Sequence, residues 1–440
     1  MAALRILTVV LWIVAVALRI NNAVTYPLDG TADARLGHLA YVSYVKEHWQ
    51  QPPATLNWET WQPPLYYWAA AALWQLSAPL SPHPTDLSAW PQRAVLPLCT
   101  SLLGIAVAWI AVAVVRRVVP GDPLAAVLAL ALILFVPLHV MLAPWIRSDL
   151  LSVLLASVIV ARLVAVRDLT RLPVREALLL GVLVGLGLLA KYTGTANVVI
   201  VGATLAAAAL VDRSRALPTL RSLALVLLVA ALVAGWFYAW HWYEFGKPFV
   251  TPHDWLGGFK HPPASRGLVD YLWFTPAVFV HPWVQHPDVI HSIPAGTYAT
   301  AWFDGQFIFL NHYMARPVAE TCGRVLLVLG VLPTLAILAG AARALVLAAR
   351  SRAVLPWVPL LVSAGWAVVA YGFLNTEAPY YSAVKAHYLF PSAVAVTAFF
   401  ALAVAAAPRW ARRLLTANVL VLVAVVSVVF WFGLVRGGGT

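Results

Sequence analysis

The chain has 440 residues, of which 62% are hydrophobic and only 10% charged. Soluble domains carry about 25% charged residues, so this composition excludes a soluble globular protein. The formal charge of +12 would suggest a nucleic-acid partner, but the arginines collect in short loops between apolar runs, where they orient a protein in its membrane. Cys99 and Cys322, the two cysteines, offer neither a disulfide framework nor a metal-ligand cluster.

Apolar runs near 20 residues recur along the whole chain and predict an all-α polytopic membrane protein. The first run could be a cleavable signal peptide, but we expect an uncleaved transmembrane helix because many spans follow it. We expect one transmembrane domain over residues 1–440 with no separate soluble domain. The sequence predicts eleven spans, near 4–22, 93–115, 123–143, 150–166, 176–190, 194–211, 217–240, 323–341, 354–374, 385–406 and 413–434.

Arginine-rich loops alternate with arginine-poor ones, which predicts a cytoplasmic N-terminus and an external C-terminus. This orientation requires that segment 65–76 is not a span. It is too short, and we expect an interfacial helix at the outer surface instead. All twelve histidines and five lysines then lie on or near the outer side, as do the two largest loops, 23–92 and 241–322. An enzyme or receptor that works on this side would have such a distribution.

The first external loop contains the segments DGTADARLGH and NWETWQPPLYYW. Asp29 and Asp33 follow the first span, and Asp33 begins a predicted helix that ends near residue 49, with His38 close by. A carboxylate there could take a proton from a hydroxyl, although a helix cap is the simpler interpretation of Asp33. In the second segment two prolines break the helix, and Glu59 and several aromatic residues surround them.

Further charges lie at the predicted outer ends of later spans. Arg147 and Asp149 begin one span, and charges at that depth suggest function, although a simple ion pair or cap would also explain them. Lys191 joins two spans, while Lys385 precedes His387 and Tyr388 at the start of a late span. Snorkelling anchors compete with an anion-binding site here. Together these residues place acids and cations at one depth on one side.

His281, His286 and His291 recur at intervals of five in the second large external loop. Intervening prolines and the spacing of five are unsuited to a metal site on one helix face, so we expect no metal site there. The abundant tryptophans are typical of an interfacial belt.

Several short motifs resemble, in family order, those of the GT-C glycosyltransferases, in the branch of protein O-mannosyltransferases and lipid A aminoarabinose transferases. DGTADARLGH resembles the first external loop, which holds an essential aspartate, and ETWQPPLYYW resembles the segment after it. RSDLLSVLLASVIVARL is similar to the second external loop, and GLLAKYTG and AHYLFP resemble later signatures. The chain departs from the family at Ala34, where a second acid is common. It also has Gln62 where some members have lysine, and His387 where arginine is common.

The resemblance implies an inverting glycosyltransferase on the outer face of the cytoplasmic membrane. Its donor would be a polyprenyl-phosphate sugar and its acceptor a glycan, lipid or protein hydroxyl, with no nucleic acid and no required cofactor. A divalent metal would be possible but is not indicated. Asp33 or Asp29 would be the base, with the choice left open, and Asp149 would orient the acceptor or a cation. The implied phosphate-binding residues are Arg147, Lys191, Lys385, His387 and Tyr388, and the implied cavity residues are His38, Glu59, Gln62, Tyr66 and Tyr67.

Three other functions stay open from the sequence. A transporter or flippase would move the intact lipid-linked sugar without cleaving it. A membrane scaffold would tolerate loss of the clustered aspartates. A polymerase or ligase of lipid-linked glycans would share the expected site.

Overall fold

The computed structural model describes residues 2–27, 34–80, 92–166, 168–251, 262–263, 265–350 and 356–431. Throughout this part of the chain the regular structure is helical and no strand is present. The α-helices are α1 (Ala2–Thr25), α2 (Leu39–His48), α3 (Leu65–Ser77), α4 (Gln92–Val118), α5 (Pro123–Phe135), α6 (Pro137–Leu142), α7 (Asp149–Ala165), α8 (Val174–Ala190), α9 (Thr195–Val211), α10 (Ala216–Phe245), α11 (Leu268–Leu272), α12 (Ile293–Trp302), α13 (Arg316–Arg350), α14 (Val358–Glu377), α15 (Ala393–Ala406) and α16 (Arg409–Val429).

Within these described residues, eight helical segments are long and apolar enough to cross a membrane. The chain is therefore a multi-pass membrane protein, as its composition predicted. The remaining predicted spans coincide with α7 and α8, which have 17 residues each, and with the pair α5 and α6. Pro137 divides that pair because proline has no N–H to donate and forces the residue before it, Val136, into an extended conformation (φ −60°, ψ 125°).

Some helices exceed the predicted spans. Helix α13 has 35 residues and is therefore about 52 Å long. A hydrocarbon core is about 30 Å thick, so α13 is longer than a membrane span requires. Its first residues belong to the segment that the sequence predicted as a loop, 241–322. The late span predicted from residue 385 begins instead as a 3₁₀ segment, Ala386–Ser392, which contains Pro391 and leads into α15.

The predicted surface segment 65–76 is the helix α3, although its position at the membrane interface stays a prediction. It packs against α2, which corresponds to the predicted helix near residues 33–49 and follows a π-helical turn at Ala34–His38. Tyr41 stacks on Tyr67 with ring centroids 3.8 Å apart. This small core also includes Ile146, so it holds the pair of helices against the residue that precedes Arg147.

The turn that carries Lys191 is packed very tightly between α8 and α9. A Cβ atom built on Gly194 would lie 1.9 Å from the carbonyl oxygen of Gly187, a separation that real side chains do not tolerate. Glycine at position 194 therefore allows the close backbone contact between this turn and Gly187 of α8. Lys191 lies in the same turn.

We expect Gly194→Ala to lower the free energy of unfolding by about 1–3 kcal/mol, the usual cost of forcing extra atoms into a packed site. Thermal unfolding of the detergent-solubilised protein would measure this change. Gly202→Ala is the matched control, because a Cβ at Gly202 in α9 meets nothing within 4 Å. Equal melting temperatures for the two variants would contradict this account of the turn.

Candidate active site

Asp149, Lys191 and His387 come together although they are far apart in the sequence. Asp149 is the first residue of α7, Lys191 lies between α8 and α9, and His387 lies in the 3₁₀ segment before α15. Lys191 Nζ is 2.7 Å from Asp149 Oδ1, and His387 Nε2 is 4.0 Å from the same oxygen. Asp149 and His387 are each 6% exposed. The charges that the sequence placed at one depth thus form one buried cluster.

Arg147, Lys385 and His387 line a small cavity next to this cluster. We call it the polar cavity after these three side chains, although apolar residues form most of its walls. Arg147 is buried, and its guanidinium lies 4.4 Å from the ring centroid of Trp145, a cation–π contact. The cavity volume is about 30 Å³, enough for roughly two water molecules. Four of the five predicted phosphate-binding residues therefore lie at one site, and the ring of the fifth, Tyr388, is tilted against that of His387 with centroids 4.2 Å apart.

Two cavity residues, Asp304 and Gln306, were not singled out from the sequence. The Asp304 carboxylate accepts hydrogen bonds from the backbone N–H groups of Phe309 and Leu310, at 2.7 and 2.8 Å. Burial raises the pKa of Asp304, although these backbone donors act in the opposite direction. Gln306 donates to the carbonyl oxygens of Tyr381 and Val384. It therefore fixes the backbone just before Lys385. The Asp-Gly pair at 304–305 was the available sequence signal, since this dipeptide is typical of turns.

The predicted cavity residues between α1 and α4 form a second cluster beside the first. His38 Nδ1 is 2.7 Å from the Tyr67 hydroxyl, and His38 Nε2 is 3.9 Å from Glu59 Oε1. Gln62 Nε2 donates to Glu59, and Gln62 Oε1 accepts a hydrogen bond from Ser148 Oγ at 3.3 Å. Ser148 directly precedes Asp149, so this network reaches the buried ion pair.

Tyr66, the remaining cavity residue, packs behind this network. It is buried, and its hydroxyl lies 3.3 Å from Thr100 Oγ1 on α4. Tyr66 therefore fixes the start of α3 to the transmembrane bundle.

Asp29 and Asp33, the two candidates for the base, lie outside the described residues. The described residues on either side of them both lie against the site. Tyr26 stacks on Phe309 at 4.7 Å and lies within the electrostatic influence of Arg147 and Asp304. His38 contacts Glu59, as described above.

An apolar pocket of about 380 Å³ adjoins the polar cavity, and both are lined by Leu138 and Ala386. Residues from five helices and the 3₁₀ segment form its walls, among them Ile133, Trp302, Ile337, Leu389, Phe390 and Val396. The site thus combines a cationic end with an apolar end, which suits an amphiphilic ligand.

A divalent metal fits poorly beside Asp149. The carboxylate already carries the Lys191 ammonium on Oδ1, and Arg147 and His387 lie close to it. A metal ion would therefore enter next to three basic side chains. No cofactor-binding role is assigned to the described residues of this site.

No protein-family profile and no curated protein sequence matches the chain. Among solved structures, the Archaeoglobus fulgidus oligosaccharyltransferase in complex with zinc and sulfate aligns with a TM-score of 0.52 and 18% identity, over 99% of this chain and 53% of that chain. The same enzyme tethered to an acceptor peptide gives 0.53 and 15%, over 99% and 56%. ArnT from Cupriavidus metallidurans bound to undecaprenyl phosphate gives 0.42 and 17%, over 89% and 77%.

The present chain spans about half the length of the archaeal oligosaccharyltransferase. At identities below 20% the likeness concerns the fold. The chain therefore has a fold similar to that of the archaeal oligosaccharyltransferase, a membrane-enzyme fold of the kind that its motifs predicted.

Proposed function

We propose that the chain is a glycosyltransferase that moves a sugar from a polyprenyl-phosphate donor to an acceptor hydroxyl, on the outer face of the cytoplasmic membrane. One observation carries the proposal. Buried Arg147, Asp149 and His387 and the half-buried Lys191 and Lys385 lie together beside an apolar pocket, in a fold similar to that of the archaeal oligosaccharyltransferase. The archaeal oligosaccharyltransferase with this fold transfers glycans and was captured with an acceptor peptide.

The cations suit the leaving group of such a donor. Arg147 and Lys385 line the polar cavity, and the Lys191 ammonium pairs with Asp149 next to it. Charge-assisted hydrogen bonds from arginine and lysine to phosphate oxygens are stronger than neutral ones, and burial strengthens them further. Donors fixed in place before the reaction stabilise the charge that develops on the phosphate as the sugar departs.

The apolar pocket suits the hydrocarbon tail. Its walls are almost entirely aliphatic and aromatic. Leu138 and Ala386 line both this pocket and the polar cavity, so the two adjoin. Burying apolar surface contributes about 25 cal/mol per Å², so several isoprene units would supply much of the donor's affinity.

The chemistry is a single displacement with inversion. The acceptor oxygen attacks the anomeric carbon, the bond from that carbon to the phosphate oxygen breaks, and the phosphate leaves as an anion. Asp33 or Asp29 takes the acceptor proton, and their described neighbours Tyr26 and His38 both border the site. Asp149 Oδ1 is occupied by Lys191, whereas Oδ2 accepts no hydrogen bond from the described residues. We assign Asp149 the role of orienting the acceptor or Lys191.

The most direct test is to reconstitute the purified chain in liposomes and identify the lipids that copurify with it by mass spectrometry. We expect polyprenyl phosphate or its sugar conjugate in the wild type and a strong depletion in Arg147→Gln. Added donor should release free polyprenyl phosphate only when an acceptor is present. Movement of the intact lipid-linked sugar without cleavage would identify a flippase instead.

The proposed orientation has its own test, because α10 has an exposed residue near each end. Ser214 lies just before α10 on the arginine-rich side, and Tyr243 near its C-terminal end is 89% exposed. In a chain with Cys99 and Cys322 replaced by alanine, a membrane-impermeant maleimide should label Tyr243→Cys in intact cells. It should leave Ser214→Cys unlabelled until the membrane is permeabilised. The reverse pattern would place the site on the cytoplasmic side.

A further inference from the structure

A second group of metal-ligand side chains lies outside the candidate active site, between α11 and α12. His281, His286 and Asp288 each place a ligand atom within 4.8 Å of the others. The two imidazole rings stack with centroids 3.7 Å apart, and His286 Nδ1 is 3.7 Å from Asp288 Oδ2. The histidines are partly exposed and Asp288 is exposed, so an ion can reach them from water. The separation of the three ligands by two to seven residues keeps them on one short loop.

A fourth ligand comes from a different element. Glu320 near the start of α13 places Oε1 4.0 Å from His281 Nδ1, and the same oxygen accepts a hydrogen bond from Arg324 at 3.1 Å, which the ion would have to displace. His291, the third histidine of the evenly spaced series, lies elsewhere, with Nδ1 3.9 Å from Asp270 Oδ2. Two of the three histidines, His281 and His286, therefore lie together. The carboxylates of Asp288 and Glu320 lie beside them, which the spacing of the histidines did not indicate.

We propose that His281, His286, Asp288 and Glu320 bind a zinc ion. Two imidazole nitrogens with one or two carboxylate oxygens are a ligand set that zinc accepts in tetrahedral geometry, at about 2.0–2.2 Å from each ligand atom. Ligand atoms in such a site lie about 3.3 Å apart, and each imidazole holds its metal in the plane of the ring. The two rings are parallel in the stack, so binding requires one of these partly exposed side chains to rotate out of it. The two carboxylates balance the charge of the ion. Calcium and magnesium prefer oxygen ligands and are disfavoured by the imidazoles.

The ion has a structural consequence for the candidate active site. It joins the loop around residues 281–288 to α13, to which Arg324 already ties it through the carbonyl oxygen of Val280 at 2.9 Å. In the same loop, the backbone N–H of Val284 donates to the carbonyl oxygen of Gly305 at 2.8 Å. Gly305 lies in the wall of the polar cavity. Zinc would therefore brace this wall from outside, without contacting the donor or the acceptor.

The test uses the full-length chain in detergent, purified without a polyhistidine tag, stripped with chelator and titrated with Co²⁺ as a spectroscopic probe. We expect one equivalent to bind with the visible absorption of a tetrahedral site, and Zn²⁺ to displace it. His281→Gln, His286→Gln and Asp288→Asn should each weaken binding at least tenfold. His291→Gln is the matched control from the same loop and should bind as tightly as the wild type.

The unfolding temperature gives a second readout that does not depend on enzymatic activity. Zinc at a hundredfold excess over its Kd should raise the melting temperature of the wild type and of His291→Gln, but not that of His286→Gln, since a ligand that binds only the folded state stabilises it. Two results would overturn the proposal. One is the absence of stoichiometric binding by the wild type, and the other is unchanged affinity in both histidine variants, which would locate the ion elsewhere.

Discussion

Lys191→Gln is expected to destabilise the protein and to abolish sugar transfer. The substitution leaves the buried Asp149 carboxylate without the ammonium that lies 2.7 Å from Oδ1. Removing one partner of a buried ion pair typically costs about 3–5 kcal/mol, because the other charge stays buried without compensation. Arg147 and His387 remain near Asp149, so we expect a loss at the lower end of this range. Thermal unfolding in detergent measures the stability, and release of polyprenyl phosphate measures the transfer.

The double variant Asp149→Asn, Lys191→Gln separates the structural effect from the functional one. With both members of the ion pair made neutral, the uncompensated Asp149 charge is gone, so part of the stability should return while transfer stays lost. Arg162→Gln is a control at the other end of α7, where Arg162 pairs with Glu176 away from the site. It should leave transfer unchanged. A double variant that transfers sugar normally would remove Lys191 and Asp149 from the proposed mechanism.

Asp29→Asn and Asp33→Asn are expected to reveal the base. Asparagine keeps the size of the side chain but cannot accept the acceptor proton at a useful rate. General base catalysis contributes about 10²- to 10⁴-fold, so at least one variant should lose transfer by that factor. The loss should appear in kcat, while the KM for the donor changes little, because the phosphate is assigned to Arg147, Lys385 and His387 instead.

Asp270→Asn is the control for these two variants. Asp270 lies in α11, where its carboxylate accepts a hydrogen bond from the backbone N–H of Gly267 at 2.9 Å and faces His291. Transfer should therefore be normal. If both first-loop variants retained full activity, neither aspartate would be the base. Asp304, which lies in the cavity wall, would then be the next carboxylate to replace.

Much of the fold was predictable because each transmembrane span carries its own signal. A helix in lipid satisfies its backbone hydrogen bonds internally and exposes apolar side chains, so length and hydropathy are sufficient to find it. The break at Pro137 and the 3₁₀ segment Ala386–Ser392 were not predicted, since an apolar run looks the same whether the helix within it is continuous or not. The extent of α13 was underestimated because its arginine-containing ends lie outside the apolar run.

The site was predicted in part, through residues that are unusual for their position. Arg147, Asp149, Lys191 and His387 stood out because they lie at the edges of apolar runs, and ionisable groups are rare within such runs. Asp304 and Gln306 did not stand out, because polar residues are ordinary in an external loop. Only their burial against the cavity makes them notable.

The proposed zinc site illustrates the same limit. Even spacing placed His281, His286 and His291 in one series, and the prolines between them are unsuited to a metal site on one helix face. In the folded chain His291 lies next to Asp270, whereas Asp288 and Glu320 lie next to the other two histidines. Glu320 belongs to α13 and is more than thirty residues from its nearest predicted partner, so no local pattern could have joined them.

The sequence by itself determined that the chain is a helical membrane protein and which of its residues are costly to keep in a membrane. Those properties follow from composition and from local periodicity, which are fixed before the helices pack. Tertiary structure decided which of the costly residues meet. Lys191 reaches Asp149 across 42 positions only because a glycine-dependent turn brings α8 and α9 against the start of α7. The pairing energy of two charges depends on their separation in space, and helix packing alone sets that distance.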